Sequence, residues 1–169
     1  EFCDGMEEDA GSLAEKFERY IRRGSFPYVL RYRYGEQEAR EYMSGIYHTV
    51  LLNDIVKRLK VGDVNMLEAI ARFMMHNIGN RTSPATIANT MTSMRMKIDP
   101  KTVDRYLRGL TDSLLFYEVR RYNVKGKKLL TSMNKYYVCD VAMRSLLVRN
   151  TDSDIGHILE NIVYLEVRR

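Results

Sequence analysis

The stretch SPATIANTMTSMRMKIDPKTVDRYLRGLTDSLL, residues 83–115, decides the fold. It repeats one start signal twice: Ser83-Pro84 and Asp99-Pro100 each place a side-chain N-cap ahead of a proline at the first helical position. Ile87, Ala88, Met91 and Met94 mark the inner face of the first helix so started. Val103, Leu107, Leu110 and Leu114 mark that of the next, over residues 100–114. Upstream, MLEAIARFMMHNI (residues 66–78) carries apolar side chains at 67, 70, 71, 74 and 78, a helix with one buried stripe. Downstream, Phe116 to Val124 is rich in Tyr, Val and Phe, Lys125-Gly126 suits a tight turn, and Lys135-Tyr136-Tyr137-Val138-Cys139 reads as a returning strand. Three helices, the last two joined by a short connection, and then a β-hairpin predict a winged helix-turn-helix over residues 63–150.

On the third of these helices the two faces differ in kind. At about 100° per residue the apolar set clusters in one direction, and Lys101, Arg105 and Arg108 cluster roughly 155° away. In a helix-turn-helix that outer face enters the major groove, where Arg pairs bidentately with guanine and Lys or Thr reaches phosphate. Lys101, Thr102, Arg105 and Arg108 are therefore the candidate base and backbone contacts. The hairpin adds Arg120, Arg121, Lys125, Lys127 and Lys128 as candidate phosphate contacts, with Gly126 allowing close approach. Residues 61–150 hold 15 Lys and Arg against 7 Asp and Glu, so the excess of positive charge, +5 for the chain, lies in this segment. Against this, solvated helix faces are charged anyway, Asp104 and Asp112 dilute the basic face, and winged helices also serve as docking modules.

Moving outward, SLAEKFERYIRR (residues 12–23) carries a capping box, Ser12 with Glu15, and an apolar face of Leu13, Phe17, Tyr20 and Ile21. Gly24-Ser25-Phe26-Pro27 ends that helix. Residues 36–60 place Ala39, Tyr42, Met43, Ile46, Tyr47, Val50, Ile55, Val56 and Leu59 at helical spacing, predicting one long helix that stops at Val61-Gly62-Asp63. At the other end Ile155, Ile158, Leu159, Ile162 and Leu165 predict an amphipathic helix running to Arg169 with no C-cap, as in a fragment of a longer protein. The fold class expected is thus mainly α: a helical unit over 1–62, the winged helix, and a truncated C-terminal helix over 151–169.

With 169 residues, 45% of them hydrophobic and 29% charged, the chain is long enough to bury a core and is not a disordered polymer. No uncharged run approaches the roughly 18–20 residues of a membrane span and no signal peptide opens the chain, so a soluble cytoplasmic protein with no membrane partner is expected. Cys3 and Cys139 are far apart and outside any CxxC pattern, and His48, His76 and His157 are isolated, so no disulfide and no metal site is expected.

The strings Tyr20-Ile-Arg-Arg-Gly-Ser-Phe-Pro27, Tyr47-His-Thr-Val-Leu-Leu-Asn-Asp-Ile-Val56, Asn77-Ile-Gly-Asn80, Arg121-Tyr-Asn-Val-Lys-Gly-Lys-Lys128, Lys135-Tyr-Tyr-Val-Cys-Asp140 and Ile158-Leu-Glu-Asn-Ile-Val-Tyr-Leu-Glu166 make nearly the whole chain resemble the prokaryotic AAA-type ATPases known as predicted ATP-binding proteins. The resemblance implies a longer polypeptide with a P-loop ATPase module, a helical lid, a winged helix and a restriction-endonuclease-like C-terminal domain. This chain is then similar to the lid, the winged helix and the first helix of the last domain. It implies ATP and Mg²⁺ as ligands of the full-length protein. The chain itself has no GxxxxGK[ST], so no cofactor and no enzymatic activity are expected of it alone. Gly24 and Pro27 match the element with which related NTPases touch the nucleotide base, while Ser25 departs from the usual second glycine. Glu160 stands where the resemblance places a carboxylate of the nuclease-like domain.

Three functions compete on these residues, one of them a metal-dependent nuclease that requires chain beyond Arg169. Of the other two, the first is duplex DNA binding through the basic helix and wing, with the 12–60 helices docked on the protein's own ATPase domain. The second is an interdomain coupling or protein-docking module with no direct DNA contact. The sequence names no catalytic residue and leaves the oligomeric state open.

Overall fold

The computed structural model describes residues 11–120, 133–149 and 154–168. Helix α1 (Leu13–Arg23) starts as its sequence requires: the Ser12 hydroxyl accepts the Glu15 N–H, and Glu15 returns a carboxylate to the Ser12 N–H at 2.7 Å. A short α2 (Pro27–Arg31) follows, with proline at its first position. Helix α3 (Glu36–His48) leads into a π-helical segment (Thr49–Ile55) and then α4 (Val56–Leu59). The single regular helix expected over 36–60 is therefore corrected. Its buried side chains, Met43, Tyr47, Leu51 and Ile55, recur every fourth residue, a longer period than the 3.6 of an α-helix.

Helix α5 (Val64–His76) is capped by Asp63, which accepts the Met66 N–H at 2.9 Å. A two-residue strand β1 (Arg81–Thr82) precedes α6 (Pro84–Ser93) and α7 (Pro100–Asp112), both capped and proline-led as the sequence demands. Strands β2 (Phe116–Val119) and β3 (Asn134–Val138) complete an antiparallel sheet in the order β1-β3-β2, with Phe116 opposite Val138 and Arg81 opposite Lys135. Helix α8 (Val141–Leu147), capped by Asp140, and α9 (Ile155–Arg168) end the described chain. The molecule is mainly helical with one small three-stranded antiparallel sheet.

One apolar cluster joins the N-terminal helices to the rest: Tyr20, Tyr47, Leu51 and Ile55 pack in the same core as Leu67, Ile70, Met74, Val103 and Leu110. Gly109 on α7 permits the approach, because a Cβ there would lie 2.7 Å from Leu59 and 3.0 Å from Ile55. Beside it, Arg58 binds Asp54, Ser113 and the Gly109 carbonyl and fastens α4 to the end of α7.

Four inner-face assignments are corrected. Met94 and Leu114 are each 61% exposed, because both helices stop short of them. Leu114 takes a left-handed conformation, φ +57°, which turns its side chain outward and lets Leu115 enter the core instead. On α9, Ile155 and Leu159 are exposed, and Asn161 stands in the buried seam beside Ile158. The sequence reading also passes over α2, β1 and α8. Helices α2 and α8 are too short to show a full apolar period, and β1 has only two residues.

Candidate nucleic-acid interface

Helix α7 presents its two faces as the spacing requires. Val103, Tyr106, Leu107, Gly109 and Leu110 are buried, and Lys101, Arg105 and Arg108 are exposed. Thr102 is spent on the cap: the Asp99 carboxylate accepts its N–H at 3.0 Å and its hydroxyl at 2.6 Å. Those two bonds, the hydroxyl first, hold the Asp99 carboxyl below its ordinary pKa. Arg108 forms an ion pair with Asp104 at 2.7 Å, one turn back. Arg105 lies with its guanidinium 5.6 Å from the Tyr106 ring centroid. The second diluting acid, Asp112, faces Arg58 at 3.5 Å. Lys101 and Arg105 thus form no ion pair with any described residue, and Arg108 is partly neutralised.

Strands β2 and β3 approach the same helix. Asp104, Arg108 and Thr111 on α7 and Glu118, Arg120 and Tyr136 line a polar cleft of about 420 Å³. Glu118 organises its far wall, accepting from the Asn134 amide at 2.7 Å and the Tyr136 hydroxyl at 3.1 Å while pairing with Arg120 at 3.2 Å. Burial, reinforced by the Glu118 charge, raises the Tyr136 phenol well above its ordinary pKa, so it remains a donor. Of the candidate wing contacts, Arg120 is exposed beside α7, while Arg121, Lys125, Lys127 and Lys128 lie outside the described residues.

The Gly24-Ser25-Phe26-Pro27 element sits elsewhere and has a partner the sequence did not disclose. Asp140, 2% exposed, receives the Ser25 N–H at 2.6 Å, the Ser25 hydroxyl at 3.1 Å and the Ala142 N–H at 2.8 Å. Gly24, at φ +78°, lies flat on this carboxylate, and a Cβ there would come within 2.4 Å of Oδ1. Pro27 starts α2 and lines an apolar cavity of about 340 Å³ with Phe26, Val50, Leu114 and Cys139. Burial, and then the Asp140 charge, push the Cys139 thiol up to about 12, so it stays protonated. The only sequence signal for Asp140 was an acid directly before an apolar run, an N-cap pattern.

Glu160 accepts Lys135 Nζ at 2.6 Å and the Tyr137 hydroxyl at 2.5 Å. Burial works against its charge, yet these donors prevail and hold the carboxyl below its ordinary value. Next to it, Asn161 bonds the main chain of Val138 twice, and a polar residue within an apolar stripe gave no sequence signal of this. Among the described residues no group of three or more His, Cys, Asp and Glu comes together to hold a metal ion. Among them, too, no helix is long and apolar enough to cross a membrane.

A family model described as a domain of unknown function, DUF8612, matches residues 14–154. An uncharacterized protein of Haemophilus influenzae is 32% identical over 172 residues, covering 100% of this chain and 42% of its own length. The uncharacterized protein MJ1544 of Methanocaldococcus jannaschii is 25% identical, over 95% of this chain and 35% of its own. The chain therefore spans less than half the length of these relatives. No solved structure matches it significantly. With the model covering all the structure from α1 to the threshold of α9, the chain belongs to the DUF8612 family.

Proposed function

We propose that residues 63–149 form a winged helix whose third helix, α7, binds duplex DNA, and that the chain serves as the DNA-contacting region of a longer AAA-type ATPase. The observation that carries this reading is the division of α7, with Lys101, Arg105 and Arg108 on the face opposite Val103, Leu107 and Leu110. The order α5-β1-α6-α7-β2-β3, with β3 between β1 and β2, supports it, since a winged helix joins its parts in this way. The three cations lie along one side of a 13-residue helix, the side such a helix offers to the major groove. ATP and Mg²⁺ belong, on this proposal, to parts of the longer polypeptide.

Fluorescence anisotropy with a random duplex tests it. The wild-type chain is expected to bind at low salt with an affinity that falls steeply as salt rises, and replacing Lys101, Arg105 and Arg108 by Ala is expected to lower the salt slope by up to about 3. Equal binding by the variant, or salt-independent binding, would sink the reading.

The coupling reading is favoured by a different observation. The Ser25–Asp140 bonds tie the α1–α2 corner to the start of α8, and Asn161 and Glu160 tie α9 to β3, the attachments that a coupling module needs at its two ends. It expects Arg105→Glu to leave DNA affinity unchanged and to alter the nucleotide turnover of the full-length protein.

A further inference from the structure

Away from α7, the corner formed by α2 and the start of α3 carries a ladder of tyrosine rings. Tyr28 stacks on Tyr42 with centroids 5.2 Å apart and planes 16° apart, and Tyr32 meets Tyr28 at 4.3 Å. Tyr34 closes on Tyr28 and Tyr42 edge-on. The outer rungs are not core: Tyr28 is 44% and Tyr32 52% exposed, while Tyr34 and Tyr42 pack against the buried Val29 and Met43. Exposed surface here is therefore largely ring and guanidinium, groups that single-strand sites use and that protein interfaces also favour.

One cation is seen directly at the rings, Arg31 on Tyr32. Over residues 11–42 there are seven Lys and Arg against five Glu, and Arg19 and Arg22 share a cleft with Glu15, Glu18 and Glu36. Glu36 is occupied by Arg22 at 3.4 Å, Glu38 by the Gly35 N–H at 2.6 Å and Glu41 by the Gln37 amide at 2.6 Å. Arg31 holds its guanidinium 5.9 Å from the Tyr32 centroid, at the outer limit of a cation–π contact, where an incoming ring displaces it at little cost. Open aromatic faces beside arginines are the two parts of a single-strand site: any base has a π-face to stack, and the phosphates that follow meet positive charge.

We propose that Tyr32 and Tyr28, with Arg31, form a stacking platform for the bases of a single-stranded nucleic acid, separate from the duplex-binding face of α7. A base extends the Tyr42-Tyr28-Tyr32 ladder by one step on Tyr32, and Arg31 turns to the adjoining phosphate. The site is indifferent to base sequence, because every base has a π-face to stack.

The chain contains 12 tyrosines and no tryptophan, so its intrinsic fluorescence is tyrosine's and stacking quenches it. Titrating the full chain with a 20-nucleotide oligo-dT at low salt is expected to quench this emission and raise the anisotropy of labelled oligonucleotide. Tyr32→Ala should weaken binding about tenfold, the factor of one lost stack of about 1.4 kcal/mol. Tyr32→Phe should restore it, and Arg31→Ala should weaken binding and flatten its salt dependence. Replacing Lys101, Arg105 and Arg108 by Ala should leave single-strand binding intact whatever it does to duplex binding. The proposal is overturned if oligo-dT fails to bind, if Tyr32→Ala binds as wild type, if the α7 variant abolishes single-strand binding, or if Tyr32→Ala alters only self-association or capture of a protein. Far-ultraviolet circular dichroism of Tyr32→Ala is expected to match wild type, and Arg31→Ala provides the same test without touching a ring.

Discussion

Asn161, wholly buried on α9, pairs through its side-chain amide with both main-chain polar groups of Val138: Oδ1 accepts the Val138 N–H at 2.8 Å and Nδ2 donates to the Val138 carbonyl at 3.0 Å. Strand β1 is only two residues long and pairs with Lys135 and Asn134, which leaves this side of β3 open further along. The amide thus stands in for a missing strand. Asn161→Ala would strand a buried donor and acceptor, at about 1–3 kcal/mol for each group left unsatisfied. We expect a loss of about 3 kcal/mol in urea unfolding, with fast amide exchange along α9. A loss below about 1 kcal/mol would show that water replaces the amide.

Gly24 combines φ +78° and ψ −169°, a region open essentially to glycine alone, with the close approach of Asp140. Gly24→Ala is expected to cost about 2–3 kcal/mol, visible as a lower thermal midpoint, because the backbone and the carboxylate must both yield.

Asp140 is the buried acid most exposed to pH effects. Burial raises its pKa, and the bonds from Ser25 and Ala142 offset only part of that rise. Between the unfolded value of about 3.9 and the raised native one, the folded state holds more proton than the unfolded, so stability falls as pH rises through that window. Asp140→Asn removes the titration. The stability of wild type minus that of Asp140→Asn should be greatest at the acid end and decline as pH rises; a flat difference would mean the carboxyl titrates normally.

Leu114 is held at φ +57° with its side chain 61% exposed, so its conformation is strained and its packing slight. A left-handed non-glycine residue costs roughly 1–2 kcal/mol, and glycine forfeits about 0.5–1 in chain entropy. Leu114→Gly should therefore raise unfolding stability by about 0.5–1 kcal/mol. A decrease would mean that the leucine is held by its contacts at the rim of the apolar cavity.

The sequence disclosed what local chemistry decides. Ser83-Pro84 and Asp99-Pro100 announced α6 and α7 because caps and prolines act within one turn, and the faces of α7 followed from spacing alone. Placement of Lys101, Arg105 and Arg108 on its outer face was legible for the same reason. The Asp104–Arg108 pair was legible as dilution only, since an i,i+4 spacing allows a salt bridge without requiring it. What lay hidden depends on distance along the chain: Ser25 meets Asp140 across 115 residues, and Asn161 meets Val138 across 23. No periodicity reports such meetings. Met94 and Leu114 misled because they continue an apolar rhythm past the residue where the helix stops.

The π-helical segment Thr49–Ile55 links two surfaces that look in different directions, α3 toward α8 and α4 toward Gly109 of α7. Its wider turns take up residues without advancing the helical phase as an α-helix would. The segment is therefore a phase adjuster, and the reading frame of the interface beyond it depends on residue number and not only on residue type. Removing one residue from this segment would restore an ordinary helix and keep Arg58 and Leu59 near their present direction, because six residues at about 100° each turn the chain about as far as seven in the wider helix. Winding the same seven residues into ordinary turns would instead rotate Arg58 and Leu59 by roughly 100° or more, taking Arg58 from Ser113 and Leu59 from Gly109, so the wide turns are what keep α7 docked on the helices that precede it.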